Sequence, residues 1–192
     1  MIMKPQGWDE AVANDGTFKR LTAGGHVCVI KQARLTKSKS KGEDMLEMAF
    51  DILGGEFDKY FEEQYKFNQK NYPDSAKWSN AGIYRQVLVG KSMSMAKGML
   101  LNIEKSNAGW SWNWDETELV GKKFGGVFRE EEYLNNKNEK KTRVVCIAVR
   151  PVDGIEDIEV PEPKRLAETN GGGNFGGSYG FGGGLSDEDV PF

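Results

Sequence analysis

The stretch Asp44-Met-Leu-Glu-Met-Ala-Phe-Asp-Ile-Leu53 alternates between apolar and other residues with a period of two. Because successive side chains on a strand point to opposite faces, this alternation predicts a β-strand with one apolar face. The apolar face would hold Leu46, Met48, Phe50 and Ile52, and the opposite face Glu47, Ala49 and Asp51. A sheet that buries one face against a core is therefore expected.

Two further strands are predicted next to this segment. Residues 25–36 precede it and are rich in β-branched side chains, which favour strands. Residues 60–67 follow it after a Gly54-Gly55 turn, and the three segments together predict an antiparallel meander. Residues 68–90 are aromatic and basic and show no regular pattern.

The second half of the chain predicts one helix and one hairpin. An apolar stripe at helical spacing predicts a helix over residues 92–106, and two strands, 123–133 and 141–150, are joined by a polar turn. The order strand-strand-strand-helix-strand-strand is that of the OB-fold, a five-stranded and partly closed barrel. We therefore predict a mainly β fold, a five-stranded OB-fold barrel with one helix between strands 3 and 4. Trp110, Trp112 and Trp114 are predicted to cap this barrel.

The C-terminal part of the chain differs from the body in composition. Residues 171–184 contain nine glycines in fourteen positions, which bury too little surface to offset the entropy of ordering the chain. We expect residues 1–165 to form one domain, and residues 166–192 to form a disordered, Gly-rich flexible linker with an acidic tip. The tip consists of Asp187, Glu188, Asp189, Val190, Pro191 and Phe192.

This tip predicts a binding segment for a partner protein. A suitable partner would offer a hydrophobic pocket to Phe192 and cationic groups to the neighbouring acids and the terminal carboxylate. The tail resembles that of bacterial single-stranded-DNA-binding proteins, except that Val190 stands where Ile or Leu is usual. The resemblance implies recruitment of replication or repair enzymes. The alternative is a charged terminus that only aids solubility.

Charge is distributed unevenly along the chain. The net charge is −3, but residues 166–192 contain four acids and no Lys or Arg, so residues 1–165 hold 26 basic and 25 acidic residues. Residues 16–42 contain seven basic groups and no acid. A local cationic surface on a near-neutral body suits binding of a polyanion in one groove.

OB-folds bind oligonucleotides over strands 2 and 3 and the loops that join strands 1 to 2 and 4 to 5. Both predicted loops are basic, and aromatic residues lie between them in the sequence. Cations can follow the phosphates while aromatic rings stack on unpaired bases. The predicted DNA-binding residues are Lys31, Arg34, Lys37, Lys39, Lys41, Tyr60, Tyr65, Trp78, Tyr84, Arg85, Lys137, Lys140, Lys141 and Arg143.

Catalysis has little support in the sequence, and we expect no enzyme activity, no cofactor and no metal site. His26 is the only histidine, and no Gly-rich phosphate-binding loop occurs. Glu130 and Glu132 could converge on one face of a strand, which leaves a metal-dependent nuclease as an alternative. The two cysteines, Cys28 and Cys146, are expected to be buried, reduced thiols.

Several phrases of the sequence resemble a known family when they are taken in order. They are Leu21-Thr-Ala-Gly-Gly-His-Val-Cys-Val-Ile30, Phe50-Asp-Ile-Leu-Gly-Gly-Glu-Phe57, Trp114-Asp-Glu-Thr-Glu-Leu-Val-Gly-Lys122, Phe128-Arg-Glu-Glu-Glu-Tyr133, Arg150-Pro-Val-Asp153 and Val160-Pro-Glu-Pro-Lys164. Over residues 20–165 the chain resembles single-stranded-DNA-binding proteins encoded by phages and prophages of low-GC Gram-positive bacteria. The resemblance implies an OB-type body acting in phage DNA replication or recombination in the host cytoplasm.

The sequence thus leads to one hypothesis with three alternatives. The hypothesis is a protein that coats single-stranded DNA without strong sequence preference and recruits host or phage replication and recombination proteins through its acidic tip. The alternatives are a strand-annealing or recombination-mediator protein, a nuclease, and an adaptor whose barrel binds protein. Since no signal-peptide pattern or membrane-span pattern is present, we expect a cytoplasmic protein with no membrane partner and with possible homo-oligomers.

Overall fold

The computed structural model describes residues 3, 4, 8 and 19–166 of the chain. The predicted linker and acidic tip, including Asp187, Glu188, Asp189, Val190, Pro191 and Phe192, lie outside the described residues apart from Leu166. The described body is mainly β, with five strands and two helices. In chain order the elements are β1 (Gly24–Lys37), β2 (Asp44–Ile52), α1 (Tyr60–Asn71), β3 (Ile83–Val87), α2 (Met93–Ser106), β4 (Lys123–Leu134) and β5 (Lys140–Arg150).

The five strands form one antiparallel sheet in the order β3-β2-β1-β4-β5. The first, second, fourth and fifth strands lie where the sequence predicts them, and α2 lies between the third and fourth strands as predicted. Two bulges bend the sheet, since Lys31 of β1 has no partner on β2 and Ile147 of β5 has none on β4. The prediction of a mainly β fold with five strands and this helix is confirmed.

The predicted third strand is wrong, because residues 60–67 belong to helix α1 and the third strand is Ile83–Val87. The carboxylate of Asp51, at the end of β2, accepts hydrogen bonds from the backbone N–H groups of Phe61 and Glu62 at 2.8 and 3.0 Å. These N–H groups belong to the first turn, where a helix provides no partner of its own. Glu62 and Glu63 also favour that turn because the helix dipole is positive there.

The core lies on one side of the sheet and under α1 and α2. The alternation predicted for β2 is confirmed, since its four apolar residues all belong to the core cluster. The opposite face of β2 is buried as well: Glu47 is 4% exposed and Asp51 is fully buried. The largest fully buried side chains are Phe50, Phe61, Phe124, Phe128, Ile30, Leu46, Met48, Ile103, Leu119, Asp51 and Cys28.

Cys28 and Cys146 are both free thiols, but only Cys28 is buried as predicted, since Cys146 is partly exposed. Burial raises the pKa of both, that of Cys146 to about 12.

The tryptophan segment corrects in part the prediction that Trp110, Trp112 and Trp114 cap the barrel. Trp110 and Trp112 pack against the core, but Trp114 is 79% exposed.

Candidate nucleic-acid interface

A row of three charged residues crosses the outer face of β1, β2 and β3. The strand register places Arg34 opposite Glu47, and Glu47 opposite Arg85. The Nε of Arg34 donates to Glu47 Oε1 at 2.8 Å, and the Nε of Arg85 donates to Glu47 Oε2 at 2.6 Å. Each carboxylate oxygen therefore holds one guanidinium group, and the row carries a net charge of +1.

The carboxylate fixes the orientation of both arginines. The Glu47 side chain is 5% exposed, whereas those of Arg85 and Arg34 are 19% and 37% exposed. A charge that is buried this deeply is stable only when it is paired. Arg85 is also held by the side chain of Asn80 at 3.3 Å. The row, which we call the arginine row, is thus a rigid cationic feature on the surface of the sheet.

Further lysines lie beside this row, in the connection from β1 to β2. Lys39 and Lys41 are exposed, and the Nζ of Lys37 lies 2.5 Å from a carboxylate oxygen of Asp44. The connection is closed by backbone hydrogen bonds from Ser38 to Glu43 and from Gly42 to Ser38, both 2.8 Å long. Lys31 is the extra residue of the bulge in β1 and pairs with Glu62 at 3.2 Å.

The β4–β5 hairpin brings a second set of cations. Lys137 is exposed in the turn, Lys140 pairs with Glu132 at 2.9 Å, and Lys141 pairs with Glu139 at 3.4 Å. The guanidinium of Arg143 lies over the ring of Tyr133, 4.9 Å from its centroid. Four of the predicted DNA-binding residues therefore lie together on this hairpin: Lys137, Lys140, Lys141 and Arg143.

Sequence reasoning missed a second arginine cluster on this hairpin. Glu131 lies 2.6 Å from Arg129, 3.8 Å from Arg143 and 4.0 Å from Lys164. Lys164 reaches it because it forms a parallel bridge with Glu131 and backbone hydrogen bonds with Glu130 and Glu132. Glu131 and Arg143 are opposite each other on the two strands of the hairpin, so pairing the two predicted strands in the sequence could have shown this contact. No nearby sequence pattern predicts the contact with Lys164.

The predicted stacking residues differ in how their rings are used. Tyr60 makes edge contacts with Phe57 and Phe61, and its hydroxyl accepts from Leu21 N at 3.3 Å. Tyr84 packs against the core, and burial raises its pKa to about 12. Both rings are used for packing, so Tyr60 and Tyr84 are weaker candidates for base stacking than rings that face solvent.

Tyr65 and Trp78 contact each other, and Trp78 also packs against the core. Their ring centroids are 6.0 Å apart, both side chains are partly exposed, and the indole of Trp78 donates to the carbonyl of Gly82 at 3.2 Å. Phe67 and Tyr72, near the end of α1, are more exposed, at 40% and 62%. Neither belongs to the DNA-binding residues predicted from the sequence.

Glu62 joins α1 to the cationic side of β1, and this link predicts a pH effect. Hydrogen bonds from Lys66 and Lys31 lower the pKa of Glu62 to about 2. A lowered folded pKa means that this stabilisation is present above the unfolded value of about 4.3 and is lost as the pH falls toward 2. We expect Glu62→Gln to reduce the free energy of unfolding at pH 7 and to have a smaller effect near pH 2.

Urea unfolding of the wild type and Glu62→Gln at both pH values measures this difference. Glu63→Gln, on the next position of the same helix turn and exposed, is the matched control. An equal effect of Glu62→Gln at the two pH values would contradict the expectation.

Among the described residues, no group of three or more His, Cys, Asp or Glu side chains is placed to hold a metal ion. No helix in the described part of the chain combines the length and apolar content needed to cross a membrane. Comparison of the chain with protein-family models and with curated proteins gave no match.

Proposed function

We propose that this chain binds single-stranded DNA on the outer face of β1, β2 and β3, without catalysis and without strong sequence preference. The observation that carries the proposal is the arginine row. It presents two guanidinium groups in fixed positions on the sheet face, and lysine-bearing loops flank it. Such a surface suits a phosphate backbone, which carries one charge per nucleotide.

The same proposal includes an OB-type barrel. The strand order β3-β2-β1-β4-β5 leaves β3 and β5 as the two edges, and residues of these edges approach within 8 Å between Cα atoms. Pairing of the two edges would close the sheet into the barrel that the element order predicts. The arginine row would then lie over strands 2 and 3, where OB-folds bind oligonucleotides.

The biological setting is proposed from the resemblance of residues 20–165 to phage and prophage proteins. The chain would act in phage DNA replication or recombination in the host cytoplasm. The acidic tip, residues 187–192, would recruit partner proteins through Phe192 and its acidic neighbours. Co-precipitation of host replication proteins by the full chain, but not by a chain that ends at residue 185, would support this part.

The DNA-binding proposal makes a quantitative prediction for oligo-dT. Log affinity should fall linearly with log salt, with a slope of about 0.7 for each phosphate contacted. The triple variant Arg34→Gln/Glu47→Gln/Arg85→Gln removes the arginine row but leaves no buried charge unpaired. It should bind more weakly and with a slope smaller by about 0.7–1.4, since up to two phosphate contacts are lost. Fluorescence anisotropy of labelled oligo-dT across a salt series measures both quantities.

The matched control is Lys97→Gln/Lys105→Gln on α2, which removes two exposed positive charges and lowers the net charge more than the triple variant does. It should leave the slope and the affinity nearly unchanged. If the triple variant binds as the wild type does, the arginine row is not the interface. If the wild type ignores oligo-dT in dilute buffer, the proposed function itself is refuted.

A further inference from the structure

A pair of indole rings lies outside the arginine row, in the segment between α2 and β4. The rings of Trp112 and Trp114 have centroids 4.8 Å apart and planes inclined at 40°. Trp112 packs partly against the core, whereas Trp114 leaves 79% of its surface in solvent. A large apolar ring that is so exposed is typical of a surface that contacts another molecule.

Neighbouring residues hold the backbone at Trp114. Its φ is 74°, in the left-handed region that bulky residues rarely adopt. The backbone on either side is held, because Asp115 N donates to the Asn113 side chain at 3.1 Å and the Trp112 indole donates to the Asp115 carbonyl at 3.0 Å. The backbone that carries the exposed ring is therefore ordered, so a partner would not have to remove backbone entropy at this position on binding.

Carboxylates surround this pair. Trp112 N donates to Glu104 at 2.9 Å, and the amide of Asn113 donates to Glu118 at 2.9 Å. Asp115 accepts from Thr117, which lowers its pKa, and Glu116 follows it in the chain. These contacts are to neutral donors, and no salt bridge to any of the four carboxylates occurs among the described residues.

The charge of this surface is opposite to that of the arginine row. Glu47, Glu62, Glu131 and Glu132 are each paired with cations on the nucleic-acid side. Lys122 lies near the tryptophan segment, with its Nζ 4.7 Å from the ring centroid of Trp110. Trp112, Trp114, Asp115, Glu116 and Glu118, here called the tryptophan patch, therefore present one exposed and one partly buried ring among carboxylates that form no salt bridge within the described residues.

We propose that the tryptophan patch docks a basic, arginine-containing segment of a partner protein. A guanidinium group stacks favourably on an indole face, and its remaining donors can pair with the carboxylates. The same carboxylates repel phosphates, so a DNA strand is disfavoured here although the rings could stack on bases. Trp and Arg are also the residues that most often dominate binding energy in protein interfaces.

The test uses the full chain labelled with ¹⁵N and a short Arg-Gly repeat peptide as the probe. The chain has five tryptophans, whose indole N–H signals report five places at once and are assigned with single Trp→Phe variants. The peptide should shift the signals of Trp112 and Trp114. It should leave the indole signal of Trp8 unchanged, although that residue is also exposed, at 64%. A Glu-Gly repeat peptide should shift none of them.

Variants give the energetic readout at the same signals. Trp114→Ala should weaken peptide binding, followed at the Trp112 signal, by about fivefold, as expected for one cation–π contact. Glu116→Gln/Glu118→Gln should weaken it by a similar factor, and Trp8→Ala should have no effect. Any binding of the peptide to the acidic tip is common to all variants and does not change these differences.

Three outcomes would overturn the proposal. The Arg-Gly peptide could leave both indole signals in place, or both patch variants could bind it as the wild type does. Alternatively, oligo-dT could shift the Trp112 and Trp114 signals while the peptide does not, which would assign the patch to DNA. The proposed function is tested separately by the salt titration, since loss of oligo-dT binding would leave the peptide result intact.

Discussion

Asp51→Ala is expected to lower the free energy of unfolding by about 3 kcal/mol, the largest effect of any single side-chain truncation that we predict. The carboxylate is fully buried and accepts three backbone N–H groups, from Ile52, Phe61 and Glu62, at 2.8–3.0 Å. The helix α1 has no side-chain cap at Lys59, the position that precedes it. Asp51 supplies that cap from the end of β2, so its removal uncouples α1 from the sheet.

The expected magnitude is less than the sum of three charge-assisted hydrogen bonds. Burial raises the pKa of Asp51 although the N–H groups act in the opposite direction. Keeping the carboxylate ionised inside the protein thus offsets part of what the bonds contribute. Asp51→Asn should have an intermediate effect, because one amide oxygen can still accept while the NH₂ group faces a donor.

Urea denaturation followed by circular dichroism measures these differences, and Asp58→Ala is the matched control. Asp58 lies in the connection from β2 to α1 and accepts a hydrogen bond from Gly54 N at 2.6 Å, but its side chain is exposed. Its loss should cost about 0.5–1 kcal/mol, as for an ordinary surface hydrogen bond. If Asp51→Ala were no more destabilising than Asp58→Ala, the role of Asp51 as the cap of α1 would be wrong.

Gly25→Ala is expected to be nearly as damaging, at about 3 kcal/mol, the upper end of the usual cost of overpacking. A Cβ atom at this position would lie 1.7 Å from the carbonyl oxygen of Ile155 and 2.8 Å from Cγ2 of Ile158. The obstacle is backbone, and Ile155 is itself 3% exposed in the 3-10 turn Ile155–Asp157. The turn would have to leave the surface of β1, because a carbonyl group cannot move aside as a flexible side chain can.

Gly98→Ala provides the control, since it makes the same chemical change in open space. No heavy atom lies within 4 Å of a Cβ at this position, which is inside α2. Alanine should stabilise the helix there by about 0.5–1 kcal/mol. Thermal unfolding of both variants should therefore shift the Tm in opposite directions. If the Gly25→Ala protein were as stable as the wild type, Ile155 would not be tightly packed against β1.

Local patterns were sufficient for most of the fold. The alternation in β2, the β-branched run of β1 and the polar turn between β4 and β5 each predicted an element that the structure confirms. Residues 60–71 were the exception. Their helical signals, Glu62 with Lys66 and Phe61 with Tyr65, are each four residues apart. The aromatic content instead favoured a strand, and the cap at Asp51 is ten residues from Phe61.

The candidate interface was predictable as a composition rather than as a geometry. The concentration of cations in residues 31–41 and 137–143 is visible in the sequence, and the structure places them at the strands and loops of one sheet. Which cations are oriented by a carboxylate was not visible. In the sequence, Glu47 is only one of the polar residues of an alternating strand. The pairing register of β1, β2 and β3 is what shows that Arg34 and Arg85 flank it.

The sequence by itself determined four of the five strands, the place of α2 and which segments are cationic, because periodicity and charge are properties of neighbouring residues. Only the tertiary structure decided that residues 60–71 form a helix, that Tyr84 packs inward and that Trp114 points into solvent. It also decided that residues 34, 47 and 85 share one row. Each of these depends on partners distant in the chain, and hydrogen bonding and burial select those partners only when the sheet has formed.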